Sequence, residues 1–188
     1  MTESSAVVLV VDDEPDVADS YAAFIRDRYE VRTAYSGEAA LEVLDDAVDV
    51  VLLDRRMPDM FGDEVLAQIR DRGVDCRVAM VTAVDPDVDI IDMEFDDYVV
   101  KPVTRDEVLD TVGRLLRVAQ YERTLREYYR VTRKWVTLSE ARSGSDIESD
   151  PEFADLAERR DELREQLEAT AADFADDDFE TLFGDFGT

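Results

Sequence analysis

The chain has no histidine and a single cysteine, Cys76. Without histidine it cannot form a phosphohistidine of its own. One cysteine excludes an internal disulfide and any cysteine-built metal site. Lysine is almost as scarce: Lys101 and Lys134 are the only two, and the rest of the 21 basic residues are arginine. No stretch of about 18 apolar residues runs without charge, so nothing in the sequence is expected to span a membrane. The opening "MTESSAVVLVV" has no basic segment and passes straight into an apolar run. That pattern argues against a signal peptide and for a cytoplasmic protein.

What is present is acid. The 188 residues carry 48 acidic side chains and a net charge of −27, spread over the whole length. Such charge repels itself at low ionic strength. In molar salt the Debye length shrinks to about 3 Å and the repulsion largely vanishes. Acid excess with scarce lysine therefore reads as adaptation to a salt-loaded cytoplasm; the rival reading is an acidic partner surface or mimicry of nucleic acid. Apolar content of 45% is enough for a packed core. The length suits one domain with an extension, or two small domains.

Five short apolar runs punctuate the first part: "AVVLVV" (6–11), "VRTAY" (31–35), "VDVVLL" (48–53), "RVAMVT" (77–82) and "DYVV" (97–100). Three are almost continuously apolar, as parallel strands buried on both faces should be. Segments with helical spacing follow each run. Val17, Tyr21, Phe24 and Ile25 mark the first, and Ala39, Ala40, Val43 and Leu44 the second. Val65, Leu66 and Ile69 mark the third, Val88, Ile91 and Phe95 a short acid-rich fourth, and Val108, Leu109, Val112, Leu115 and Leu116 the fifth. Five β-α units predict an α/β fold with a doubly wound parallel sheet and right-handed crossovers. In such sheets the site lies beyond the carboxyl ends of the strands.

Those ends carry chemistry. The first strand ends in "VVDDE", the third in "LLDRRMP", the fourth in "VTA" and the fifth in "VVKP". Neighbouring first and third strands would bring Asp12, Asp13 and Asp54 together, and three carboxylates stay ionised together only around a cation. An all-oxygen set with open positions suits Mg²⁺. Thr82 and Lys101 join at the same edge. Paired acids for metal, a lone acid as nucleophile, and a hydroxyl and an ammonium for phosphoryl oxygens form a phosphoryl-transfer constellation. Each acid alone is more simply a strand-end acid in an acidic protein; the five together, including one of two lysines, point to Asp54 as nucleophile. An aspartate-based phosphatase of the haloacid dehalogenase type is excluded, because it needs a second aspartate where Arg56 stands.

"VLVVDDEPDV", "VVLLDRRMPDMFGDEVL", "VTA" and "DDYVVKP" resemble, in order and spacing, the receiver domain of two-component response regulators (CheY-like). The resemblance covers residues 5–117 and implies a flavodoxin-like (βα)₅ fold with strand order 2-1-3-4-5. It implies phosphorylation at Asp54 and Mg²⁺ held by Asp12, Asp13, Asp54 and the backbone carbonyl of Arg56. Thr82 and Lys101 would contact the phosphoryl group, and Pro102 would shape the turn after it. Thr82 and Tyr98 would form the switch pair, with self-phosphorylation and autodephosphorylation as the only enzyme-like chemistry. With no histidine in the chain, the donor would be a sensor histidine kinase or a small phosphodonor. Glu94-Phe95 departs from the common pattern, standing where many receivers have glycine-alanine, and Arg56 and Val84 occupy positions thought to tune phosphoryl lifetime.

Beyond residue 117 the sheet pattern stops. Val118, Tyr121, Leu125, Tyr128, Thr132, Trp135 and Ser139 alternate by three and four, a heptad stripe. "SGSDIESDP" (143–151) breaks it, and Phe153, Leu156, Arg160, Leu163, Leu167, Thr170 and Phe174 form a second stripe. An α-helical coiled-coil hairpin or a dimerising coiled coil is expected over 118–174. An acidic aromatic tail follows at 175–188, free to dock Phe179, Leu182, Phe183 and Phe186 or to fray. "YERTLREYY", "FADLAERRDELREQLE" and "LFGDF" resemble the HalX domain, a helical segment appended to receivers of halophilic archaea. Between 114 and 134 seven cations face only Glu122 and Glu127, a local +5. Arg123, Arg126, Arg130 and Arg133 share one face, either pairing with Glu158, Glu162, Glu165 and Glu168 or contacting nucleic acid or an acidic partner. Pairing is the simpler reading, and salt weakens phosphate contacts. The expected function is a response regulator of a two-component phosphorelay, with phosphorylation altering dimerisation through the fourth- and fifth-helix face or the coiled coil, or altering partner binding. A phosphorylation-gated, DNA-binding transcriptional regulator is the alternative, and a plain adaptor or phosphate sink a third.

Overall fold

A computed structural model describes residues 5–141 and 150–183, without the side chains of 89, 141 and 173–183. The chain divides into two compact units, Met1–Ala119 and Gln120–Thr188. In the first, five strands, β1 (Val7–Val11), β2 (Glu30–Ala34), β3 (Val48–Leu53), β4 (Arg77–Thr82) and β5 (Asp97–Val100), form one sheet of order β2-β1-β3-β4-β5. Every pairing is parallel. β1 is buried along its whole length, as a strand covered on both faces must be.

Alternate residues serve opposite faces. Leu9, Val11, Val51, Leu53, Val78 and Met80 pack beneath α2 (Gly37–Val43) and α3 (Gly62–Asp71) through Ala40, Leu41, Val65, Leu66 and Ile69. Val8, Val10, Val50, Leu52, Ala79 and Val81 pack against Ala18, Tyr21 and Ile25 of α1 (Pro15–Ile25) and against Val108, Leu109, Val112 and Leu115. The latter four belong to the start of α4 (Arg105–Ala141). Truncating one such side chain, as in Leu52→Ala, would cost about 2–5 kcal/mol.

Local chemistry sets the helix starts. Pro15 opens α1, where its missing N–H is not needed. The Ser36 hydroxyl accepts from the Ala39 amide at 3.2 Å and caps α2. Thr104 and Glu107 form a reciprocal box at the start of α4, with the Thr104 amide donating to Glu107 Oε2 at 2.7 Å and the Glu107 amide to the Thr104 hydroxyl at 3.3 Å.

The expected fourth helix of the sheet domain does not form. A single 3₁₀ turn, Val88–Ile90, stands between β4 and β5, capped by the Asp87 carboxylate. Val88 and Ile91 are 75% and 77% exposed, so their spacing buries no face. A short helix without a packed apolar face is marginal in water, and Asp85-Pro86-Asp87 leaves no room for an earlier start. Of the residues expected to mark this helix as apolar, Phe95 alone packs on the core cluster, together with Met93.

In the second unit, α4 from Gln120 onward pairs antiparallel with α5 (Pro151–Phe183). Thr124, Val131, Leu163 and Leu167 are buried in the seam. Trp135 stacks on Phe153 at 6.0 Å, and the Arg160 guanidinium lies 4.3 Å from the Trp135 ring centre. Most of the expected break at 143–151 and the last five tail residues lie outside the described residues, as do the side chains of Phe174, Phe179, Leu182 and Phe183.

Candidate functional site

Register brings the strand ends to one edge. Val11 pairs with Leu53, and Leu53 with Met80. Asp12 follows β1, Asp54 follows β3 and Thr82 closes β4, so side chains distant in sequence converge. The Asp54 amide donates to the Val11 carbonyl at 2.9 Å, stitching the two ends together. Ligand atoms of Asp12, Asp13 and Asp54 all lie within 4.8 Å of one another. Asp12 and Asp54 are 2% and 6% exposed, while Asp13 is half-buried at the rim.

Lys101 Nζ lies 2.6 Å from Asp12 Oδ2 and 3.3 Å from Asp54 Oδ1. One ammonium among three carboxylates leaves the cluster negative. Burial pushes the Asp54 carboxyl above its usual range; Lys101 opposes this, Asp12 adds to it, and a hydrogen bond from Thr82 opposes it. Burial works against the Lys101 charge, but hydrogen bonding to Asp12 and the charges of Asp54 and Asp12 outweigh it, leaving its pKa raised. The Tyr21 phenol, beneath the site, is pushed up by burial, with Lys101 opposing and the two acids adding. A cluster of hard oxygens with uncompensated negative charge fits a small divalent cation.

Thr82 is fully buried and its Oγ1 accepts from the Val84 amide at 3.4 Å. Tyr98 is half-buried, and its hydroxyl donates to the Val84 carbonyl at 2.8 Å. The two expected switch residues therefore meet through one loop residue. The Lys101–Pro102 peptide is cis.

The loop after Asp54 holds residues whose importance the sequence did not reveal. The Arg55 guanidinium is buried and grips Asp63 with two parallel bonds, Nε to Oδ1 at 3.0 Å and a terminal nitrogen to Oδ2 at 3.1 Å. The Gly62 amide donates to the Arg55 carbonyl at 2.8 Å. A side chain on Gly62 would fall 2.3 Å from the Asp54 carbonyl oxygen, so the backbone approach that closes this loop requires glycine. Asp59 takes a left-handed φ of 68°, which a short polar side chain tolerates. Met57 is buried and the Arg56 side chain is exposed. Only the glycine, eight residues after Asp54 and the first residue of α3, was a signal of this clamp.

On the second unit, Arg123, Arg126, Arg130 and Arg133 are exposed along one face of α4. Arg126 pairs along its own helix with Glu122 at 3.8 Å. An ion pair between the helices has the opposite polarity to the one expected: Arg159 of α5 meets Glu127 of α4 at 3.0 Å.

A doubly wound parallel sheet whose carboxyl edge gathers three acids, a buried threonine and a lysine defines the receiver class of signalling domains. Residues 8–113 match the response regulator receiver domain, and residues 117–183 match the HalX domain. The chain belongs to the response regulator receiver family. It is 49% identical over 164 residues to a Haloferax volcanii protein that carries the name of a proposed transcriptional regulator, covering 87% of this chain and 28% of that protein. It is 39% identical over 115 residues to the sensory transduction protein RegX3 of Mycobacterium tuberculosis, covering 58% of this chain and 50% of that protein. The chain thus spans no more than half the length of these relatives. Among solved structures it resembles the response regulator protein TrrA of Thermotoga maritima in complex with Mg²⁺ and a beryllium fluoride, with TM-score 0.51 and 33% identity, covering 59% of this chain and 99% of that one. No helix among the described residues is long and apolar enough to cross a membrane.

Proposed function

We propose that this protein is the phospho-acceptor of a two-component phosphorelay, with Asp54 as the residue modified. The observation that carries the reading is the company of Asp54: within one buried edge it meets Asp12, Asp13, Thr82 and Lys101. Asp12, Asp13, Asp54 and the Arg56 carbonyl would hold Mg²⁺, which when bound supplies positive charge to the phosphoryl oxygens. An Asp54 oxygen attacks phosphorus as the bond from phosphorus to the donor nitrogen or oxygen breaks, and the leaving group departs on the opposite side. Lys101 then neutralises one phosphoryl oxygen and the Thr82 hydroxyl donates to another. The donor is a sensor histidine kinase in the cytoplasm, or a small acyl phosphate.

Residues 5–117 form the receiving domain and 118–174 the helical output, whose second helix continues to Phe183. Output runs through altered self-association, across the face around Tyr98 or through the helical hairpin. Two experiments test this. Incubation with acetyl phosphate and Mg²⁺ in molar potassium chloride should phosphorylate the wild type and not Asp54→Asn; modification of the variant would remove Asp54 from its role. Size-exclusion chromatography with and without beryllofluoride should show a change of association state, and an unchanged profile would leave an adaptor or phosphate sink. The second reading, phosphorylation-gated DNA binding, is favoured by the exposed Arg123, Arg126, Arg130 and Arg133. It stands if DNA binds in molar salt and reversing Arg123, Arg126 and Arg130 together abolishes binding.

A further inference from the structure

The Glu94-Phe95 pair departs from the glycine-alanine common among receivers, and the structure gives the phenyl ring a partner. Phe95 and Tyr98 lie 5.5 Å apart between ring centres and tilted by 54°, a favourable edge-directed arrangement. Both neighbours of Phe95 are tethered. The Glu94 carbonyl accepts from Arg70 Nε at 2.9 Å. The Asp96 carboxylate is held by Arg70, by Arg77 and by the Val78 amide, each at 2.7 Å. Phe95 is therefore a fixed wall against which Tyr98 rests. Tyr98 in turn bonds the Val84 carbonyl, and the Val84 amide bonds Thr82.

We propose that Phe95 is a positioning residue for the switch: its ring holds the Tyr98 hydroxyl on Val84, which keeps the loop in the arrangement that aims Thr82 at Asp54. The contact favours the phosphoryl-binding arrangement before any phosphoryl group arrives. Alanine at this position would provide no wall and would leave Tyr98 less restrained. By population shift, the pre-set arrangement tightens binding at Asp54 by the factor that the aromatic contact contributes. The proposal rests on the reading of Asp54 as phospho-acceptor.

The test uses the full chain in molar potassium chloride, with Mg²⁺ and beryllofluoride as the phosphoryl probe. Phe95→Leu keeps an apolar side chain in place and removes the ring. It should weaken beryllofluoride binding about threefold to tenfold, the range expected of one aromatic pair. Affinity for Mg²⁺ alone should stay unchanged, and the Val84 and Tyr98 amide resonances should shift. Phe95→Tyr should restore binding to within about twofold of the wild type. Tyr98→Phe should weaken binding comparably, and adding Phe95→Leu to it should cost nothing more, because the two act in series. Wild-type affinity in Phe95→Leu, multiplicative losses in the double variant, or an equal fall in Mg²⁺ affinity would each overturn the proposal. A wild type that takes up no beryllofluoride would instead overturn the phospho-acceptor reading.

Discussion

Replacing Asp54 by asparagine should stabilise the fold in the absence of divalent metal. Asp12 and Asp13 place ligand oxygens within 4.8 Å of an Asp54 oxygen. At an effective dielectric of about 20, each of these repulsions is about 3.5 kcal/mol. The Lys101 ammonium at 3.3 Å returns about 5 kcal/mol on the same scale. The balance is a net repulsion of about 2 kcal/mol, to which the burial of a charged carboxylate adds. Asparagine keeps the shape and removes the charge. In molar potassium chloride with EDTA, Asp54→Asn should therefore melt about 4–8 °C above the wild type, since 1 kcal/mol moves a chain of this size by about 2–4 °C. Salt will not erase the difference, because buried charges are poorly screened.

The raised pKa of Asp54 gives the same sign. Its folded form binds a proton more tightly than the unfolded chain does. In EDTA, wild-type stability should thus fall as pH climbs from the unfolded carboxylate value of about 3.9 through the higher folded value, and the variant should lack that component. Mg²⁺ works against that order and narrows the gap. A hundredfold excess over its dissociation constant adds about 2.7 kcal/mol to the wild type, and less to a site with one carboxylate fewer. Thermal melts of both proteins, with EDTA and with Mg²⁺, read all of this. An asparagine variant less stable than the wild type in EDTA would refute the reasoning, since the carboxylate would then be a net contributor to the empty cluster.

Gly62→Ala should cost about 3 kcal/mol in urea unfolding, because its Cβ meets immovable backbone at 2.3 Å. Gly113→Ala should gain about 1 kcal/mol, since the new methyl meets only the tip of Arg117 at 3.6 Å and a helix-interior glycine is removed; equal effects at the two sites would contradict this. Asp96→Ala should lose about 3 kcal/mol, as it strips Arg70, Arg77 and the Val78 amide of a shared acceptor. A loss below about 1 kcal/mol in the same assay would place those arginines on other partners. Burial raises the Cys76 thiol pKa to about 11, so a disulfide reagent at pH 8 should label it only after denaturation. Rapid labelling of the folded chain would show that the segment leading into β4 opens locally.

The sheet and its site were legible for the same reason. A strand buried on both faces must be apolar throughout, so a charge marks its end, and Asp12, Asp54, Thr82 and Lys101 announce themselves as interruptions. Side chains whose role depends on a partner elsewhere were not legible. Arg55 reads as one arginine of two after Asp54, and its bond to Asp63 exists only because the loop folds back onto α3. The fourth helix failed for the opposite reason. Val88 and Ile91 have helical spacing, but spacing is only an opportunity to pack, and both side chains point to solvent.

The helical hairpin shows how far a stripe can be read. The sequence favours Leu125 and Thr132 for the seam, yet Thr124 and Val131 are the more deeply buried. Burying Thr124 is possible because its hydroxyl donates to the Gln120 carbonyl at 2.9 Å, so no polar group is left unsatisfied. Hydropathy alone therefore places the seam one residue away at these two positions, while Tyr128 and Trp135 lie close to it on either reading. The shift has a consequence for output. Turning the stripe by one position carries Leu125 toward the rim of the seam, where it is only half-buried, and leaves Tyr129, Val136 and Leu138 exposed at 62%, 39% and 40%. An apolar margin beside a seam that already contains threonine and arginine favours a hairpin held by modest packing over a rigid rod. A weakly held helix pair can be repacked by a contribution of 1–3 kcal/mol, about the size typical of allosteric coupling, which is the range the proposed output through this hairpin would require.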